Sequence, residues 1–197
     1  MSLFYKTSRL SLKALFSLFY SHKTYLSRDL LLGQGAIIAA NHASFLDPPL
    51  IAVSWPEPIH FLARKELFTN PLFRTIITNL NAHPVGTTGD TTASIKLACR
   101  LLQEGKKVLI FPEGTRTATG EIETFKSGIT LLAKRTNCPV IPAYIHGSYE
   151  VWPKTRTGPS FFGQKTACIF GAPIVYQENL PLIVQKEVER LKFLANL

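Results

Sequence analysis

A chain of 197 residues suits one domain with an adequate core, or one domain plus a small appendage. Its 22 basic and 13 acidic residues leave a net charge of +9, which favours anionic partners (lipid headgroups, phosphorylated substrates, acidic carrier proteins or nucleic acid) without choosing among them. Apolar residues make up 46% of the chain, yet no uninterrupted apolar run approaches the ~20 residues needed to span a bilayer. The three cysteines, Cys99, Cys138 and Cys168, show no metal-ligand spacing and fit reduced structural thiols in a cytoplasmic setting.

Residues 1–28 differ from the rest. Lys6, Arg9, Lys13, Lys23 and Arg28 are basic, and no acid precedes Asp29. Leu12, Leu15, Phe16 and Phe19 recur at helical spacing, apart from Lys6, Arg9 and Lys13. Two readings of this basic amphipathic helix stand open: docking on an anionic membrane, or packing on the domain. Lys13 interrupts the apolar region and no small-residue cleavage site follows, which argues against a cleaved signal peptide. The expected division is therefore 1–28 as a membrane-associating segment and 29–197 as the main domain.

From residue 30 onward, strand and helix patterns alternate. Residues 35–40 form a short apolar run, 48–53 open a helix, and 59–63 are strand-like. Asp90 or Thr91 caps a helix through Leu102, with Ile95, Ala98, Cys99 and Leu102 on one face and Gly105 as its stop. Residues 106–111 are the next strand, 127–136 a helix, and 139–145 a third buried strand. Residues 167–170 add an edge strand, and Val184, Val188, Leu191 and Ala195 mark a C-terminal helix. Repeated βα alternation predicts an α/β fold, a mostly parallel central sheet flanked by helices, with the N-terminal amphipathic helix added.

Two polar blocks follow apolar runs: Asn41-His42-Ala43-Ser44-Phe45-Leu46-Asp47-Pro48, then Phe111-Pro112-Glu113-Gly114-Thr115-Arg116. In open α/β sheets ligands bind beyond the carboxyl ends of strands, so both blocks can line one pocket. A spacing of five would put His42 and Asp47 about 140° apart on a helix, so the pair needs a turn, and Pro48 favours one. The competing reading makes Asp47 an N-cap and Pro48 the first helical residue. Ser44 lacks the surroundings of a nucleophile elbow, and a hydroxyl in such a turn bonds the backbone instead. In the second block, Gly114 lets backbone amides approach a ligand and Arg116 offers a planar fork of donors for phosphate. Lys126, at a helix start, is a further phosphate candidate.

The strings N-H-x-S-x-x-D-P and F-P-E-G-T-R, in this order, resemble the first and third motifs of the glycerolipid acyltransferase family, most closely the lysophosphatidic acid acyltransferases. Cys138-Pro139-Val140-Ile141-Pro142 resembles the fourth motif, and the likeness extends over roughly residues 30 to 150. The resemblance implies acyl transfer from a thioester to the free hydroxyl of 1-acyl-glycerol 3-phosphate (lysophosphatidic acid), giving phosphatidic acid in phospholipid biosynthesis. His42 would be the general base and Asp47 its orienting carboxylate. Glu113, Gly114, Thr115, Arg116, Lys65 and Lys126 would bind substrate. It implies no metal and no cofactor, with acyl carrier protein or acyl-coenzyme A bringing the acyl chain. The protein would then work at the cytoplasmic face of a membrane, peripheral or monotopic, and not on nucleic acid. Glycerol 3-phosphate or another lysolipid as acceptor, and a non-catalytic membrane-binding protein on the same fold, are the alternatives. One departure stands out: the family's phosphate-binding arginine between these motifs has no counterpart in the segment 83–90. Arg64 and Lys65, or backbone amides of its glycine-rich turn, are the available substitutes.

Overall fold

The computed structural model describes residues 3–29, 31–86 and 91–195. Among these, the elements in chain order are α1 (Leu3–Tyr20), β1 (Lys23–Tyr25), β2 (Ala36–Ala40), α2 (Asp47–Ser54), β3 (Ile59–Arg64), a short 3-10 turn (Lys65–Phe68), α3 (Pro71–Asn79), β4 (Ala82–Val85), α4 (Thr91–Gln103), β5 (Lys107–Ile110), α5 (Gly128–Thr136), β6 (Val140–His146), α6 (Ser148–Val151), β7 (Ala167–Phe170) and α7 (Leu180–Ala195). The expected α/β architecture is present. Seven strands form one sheet in the order β1-β7-β6-β2-β5-β3-β4, parallel at every pairing except β6–β7.

Strand β2 sits at the centre, paired with β5 on one side and β6 on the other, in register Ala39↔Ile110 and Ala39↔Pro142. Its sequence, AIIAA, is apolar at every position because both faces of a parallel sheet are covered. Alternate residues point to two cores. Ile37 and Ala39 meet α4, α5 and α7 through Leu102, Ile129 and Val184. Ala36, Ile38 and Ala40 meet α1 and α2 through Phe16, Tyr20, Leu50 and Ile51. Since β2 and β5 are parallel neighbours, the loops that follow them leave the sheet at the same end. That adjacency brings the two polar blocks together. Gly105 follows α4 at φ +78°, the conformation of a glycine helix stop. Asp90, the other proposed cap, and residues 87–89 lie outside the described residues.

Three expectations are corrected. Residues 167–170 are not an edge: β7 is buried throughout, because β1 pairs in parallel along its outer side. The boundary after residue 28 is not a break. Strand β1 belongs to the sheet, and Tyr5, Phe16 and Tyr20 of α1 are buried in the core. The Tyr5 hydroxyl accepts from Ile59 N, while Arg9 Nε donates to Ala52 O at 3.1 Å. Helix α1 thus packs on the domain by one stripe, and Leu3, Leu10, Leu15 and Leu18 remain exposed on the other. Third, Asp47 is the first residue of α2 rather than its cap; Leu46 holds that position and makes no side-chain cap bond. Among the described residues no helix is long and apolar enough to cross a membrane. Helix α3, which periodicity did not reveal, buries none of its residues and exposes Leu72, Phe73 and Ile76.

Candidate active site

The turn after β2 is built around Asp47, which is wholly buried. Its Oδ2 accepts three hydrogen bonds, from Ala43 N at 2.7 Å, Ser44 N at 2.8 Å and His42 Nδ1 at 2.8 Å. The carboxylate therefore folds residues 42–47 into the turn that the five-residue spacing requires. A carboxylate in this place accepts from the ring, and a neutral imidazole that donates through Nδ1 presents Nε2 as an acceptor. The imidazole lies flat on Phe111, ring centroids 3.8 Å apart and 10° from parallel, and keeps 19% of its side-chain surface exposed. Hydrogen bond and ring stack together fix the imidazole at two points.

Neighbouring side chains complete this frame. Asn41, buried, donates through Nδ2 to Ile145 O and accepts from Ile145 N at 2.7 Å, continuing the β2–β6 ladder past the strand end. Ser44 Oγ donates to Trp152 O at 2.8 Å and accepts from Leu46 N at 3.1 Å. Both capacities of that hydroxyl serve the turn, in keeping with its reading as a backbone-bonding residue.

The second block leaves β5 alongside and clasps the first. Glu113 Oε1 accepts from His42 N at 3.0 Å, and Thr117 N donates to His42 O at 2.8 Å. The Glu113 carboxyl is 3% exposed, and burial raises its pKa to about 7, opposed by the backbone donors of His42 and Glu123. This departs from the expectation that Glu113 seats a phosphate. Its carboxyl points inward to the histidine backbone, and a carboxylate facing a phosphate would repel it.

The remaining members differ in exposure. Gly114 holds φ +78° and Thr115 beside it is exposed. The Lys126 ammonium lies over Gly114, where it would stand 2.7 Å from an added Cβ. Lys126 N donates to Pro112 O at 3.0 Å, which ties the start of the next segment to this loop. The Arg116 guanidinium stacks on the Phe45 ring at 3.5 Å, and Phe45 packs against Trp152 at 5.0 Å. Arg116 Nη1 is buried without a hydrogen-bond partner. Burial lowers the Arg116 pKa, the positive charge of Arg64 lowers it further, and Asp47 opposes. Arg64 therefore ends β3 within electrostatic reach of Arg116. Lys65, the next residue, is exposed at the start of the 3-10 turn.

Sequence reasoning did not find Phe111 as the ring under His42, Phe45 as the ring under Arg116, or Glu113 as the clasp on the His42 backbone. The two phenylalanines were visible, one inside each motif; the inward turn of Glu113 leaves no trace in the string. The arrangement offers a fixed imidazole beside a loop that carries Arg116, the Lys126 ammonium and Gly114 at φ +78°. It suits removal of a proton from a hydroxyl whose anionic substituent is held a few ångströms away.

A family model described as Acyltransferase matches residues 18–146, and the chain belongs to that family. It is an acyltransferase, with the fold its motifs led one to expect. The relatives narrow the likeness. It is 35% identical over 93% of its length to the 1-acyl-sn-glycerol-3-phosphate acyltransferase of Bacillus subtilis, of which it covers 88%. It is 34% identical to the enzyme of the same name from Cocos nucifera, over 60% of this chain and 40% of that one. It also superposes on the crystal structure of the 1-acyl-sn-glycerophosphate acyltransferase PlsC from Thermotoga maritima, with a TM-score of 0.76 at 25% identity, covering 94% of this chain and 77% of that one.

Proposed function

We propose that this acyltransferase moves an acyl chain from a thioester to the free hydroxyl of 1-acyl-glycerol 3-phosphate and so makes phosphatidic acid for phospholipid biosynthesis. The observation that carries the reading is the 2.8 Å bond from His42 Nδ1 to Asp47, which leaves Nε2 as the acceptor. Nε2 takes the hydroxyl proton as the oxygen attacks the thioester carbonyl. Asp47 stabilises the imidazolium that forms. Collapse of the tetrahedral intermediate breaks the C–S bond, and the departing sulfur receives the proton from His42. No acyl-enzyme is needed, which agrees with a Ser44 hydroxyl already engaged by the backbone.

Arg116, Lys126 and the backbone of Gly114 and Thr115 hold the acceptor's phosphate, with Arg64 and Lys65 supplying charge where the family's other arginine is missing. Glu113 is a positioning residue: by accepting the His42 N–H it sets the imidazole against the phosphate loop. The remote phosphate aligns the hydroxyl, and orientation of this kind supplies a large share of the rate. The acyl donor is acyl carrier protein or acyl-coenzyme A. The exposed, acid-free face of α1 keeps the enzyme on the cytoplasmic surface of a membrane, peripheral or monotopic, where acceptor and product reside.

The test is an acyl-transfer assay with lysophosphatidic acid and glycerol 3-phosphate side by side, each with both donors. Phosphatidic acid formed from lysophosphatidic acid, at a rate well above any acylation of glycerol 3-phosphate, is expected. Preference for glycerol 3-phosphate, or no transfer to either, would overturn the reading.

A further inference from the structure

The segment between α6 and β7 is not used by the proposed chemistry, yet it connects the candidate site with α1. It begins at Trp152, whose ring packs on Phe45 and whose carbonyl accepts from Ser44 Oγ. It ends where Thr166 N donates to Tyr20 O and Lys23 N donates to Thr166 O. Between these anchors Arg156 Nη1 donates to Glu150 O and to Ser160 Oγ, and Ser160 N donates to Val151 O, so the loop is held by its own hydrogen bonds.

At the loop's outer end stand Phe161 and Phe162, 55% and 77% exposed. Phe19 of α1 contacts both rings, at 6.2 Å and 5.6 Å. Exposed Leu15 and Leu18 lie on α1 next to that contact in sequence. Two phenylalanines exposed to this degree and joined to an apolar helix face are an interaction surface rather than ordinary scatter. Charge indicates what covers it. The chain has no acidic residue from 1 to 28 or from 151 to 177, while Lys13, Lys154, Arg156 and Lys165 are exposed in these two segments. Exposed aromatic rings in two segments that carry cations and no acid match the boundary of an anionic bilayer, where rings enter the apolar region and cations meet headgroups.

We propose that the loop bearing Phe161 and Phe162 joins the outer face of α1 in one docking surface that enters an anionic lipid bilayer beside the mouth of the site. The proposal rests on the lipid-acceptor reading and extends it, because Trp152 puts the docked loop next to the Arg116–Phe45 stack. A lysolipid then reaches His42 without leaving the interface.

The experiment uses the full chain carrying Phe161→Ser and Phe162→Ser together. Both residues lie outside the proposed machinery and largely in solvent, so an unchanged melting temperature is expected. In sedimentation with mixed phosphatidylcholine–phosphatidylglycerol vesicles the double variant should partition about tenfold or more weakly, with turnover on a short-chain, water-soluble lysophosphatidic acid retained. Phe162→Trp should keep vesicle binding, and its added fluorescence should be quenched by brominated lipid. Unchanged vesicle partition of the double variant, or no added quenching in Phe162→Trp, overturns the proposal. So does a dimer in sedimentation equilibrium that the double variant breaks while vesicle binding persists, since the surface would then belong to a second copy. If the wild type acylates no lysophosphatidic acid, the functional reading fails, whereas vesicle partition still decides the docking surface.

Discussion

Two loops leave neighbouring strands at the same end of the sheet, and they differ in what holds their charged groups. In the turn after β2, one oxygen of Asp47 accepts three hydrogen bonds, and the His42 ring is held by that carboxylate and by Phe111. In the loop after β5, the Arg116 guanidinium has an aromatic ring beneath it, a buried Nη1 without a partner, and Arg64 and Lys126 nearby. Three bonds to one oxygen fix Asp47 and its turn in place, while its other oxygen, Oδ1, is buried without a partner. In the second loop Arg116 rests on a ring and is opposed in charge by Arg64, with Asp47 as the compensating anion, and its cations are candidates to meet an anionic ligand. On the proposed reading the first loop orients and the second receives.

Breaking the orienting loop should have the largest effect. His42→Ala removes the proposed base, and kcat should fall about 10²–10⁴-fold while the fold persists. Circular dichroism and a single-turnover assay check both halves. Asp47→Asn comes next. The amide oxygen can occupy the place of Oδ2 and keep the turn, but the charge that stabilises an imidazolium is gone. A loss of roughly 10²-fold or more in kcat, with acceptor KM little changed, is expected. Full activity in Asp47→Asn would reduce Asp47 to a brace of the turn.

The receiving loop should respond in KM instead. Arg116→Ala should raise the KM for lysophosphatidic acid about 10- to 100-fold, the range of one or two charge-assisted bonds, and leave the thioester KM nearly unchanged. A raised thioester KM with an unchanged acceptor KM would assign the loop to the donor.

The smallest and sharpest contrast is at Glu113, which belongs to the second loop by sequence and to the first by contact. Glu113→Gln keeps an acceptor for His42 N, so a loss of only a few-fold in activity is expected. Its pH signature is distinctive. Burial raises the carboxyl to about 7, so the folded state favours the protonated form. That stability is present below the unfolded carboxylate value and is lost as pH rises through about 7. Relative to the wild type, Glu113→Gln should therefore gain stability between pH 5 and pH 8, by up to about 3 kcal/mol, read from denaturant unfolding at the two pH values. His22 and His60 act oppositely: burial lowers each to about 4, and the stability they contribute above 6.5 is lost as pH falls toward 4.

The same contrast explains what could be read from the sequence. The elements around β2, β5 and β6 were legible because buried parallel strands are continuous apolar runs and their helices carry 3.6-residue stripes. Strand β1 was not, since three residues with exposed Lys23 and Tyr25 have no pattern until β7 offers an edge. Strand β4 was hidden by Pro84, which an outermost strand tolerates. Within the site, the His42–Asp47 pair was legible from a spacing that only a turn satisfies. The Asp47 cap reading failed because the carboxylate turns back to Ala43 and Ser44 instead of forward into α2. The inward Glu113 was not legible, because a carboxylate after a strand reads the same whether it faces a ligand or a backbone amide.

The central claim is that Asp47 holds the His42 proton on Nδ1 and leaves Nε2 as the base. Nitrogen NMR of the histidine rings, with His42 assigned by loss of its signals in His42→Ala, measures this directly. The predicted result is a protonated Nδ1 and an unprotonated, pyridine-type Nε2 in the neutral ring. A neutral His42 carrying its proton on Nε2 would contradict it.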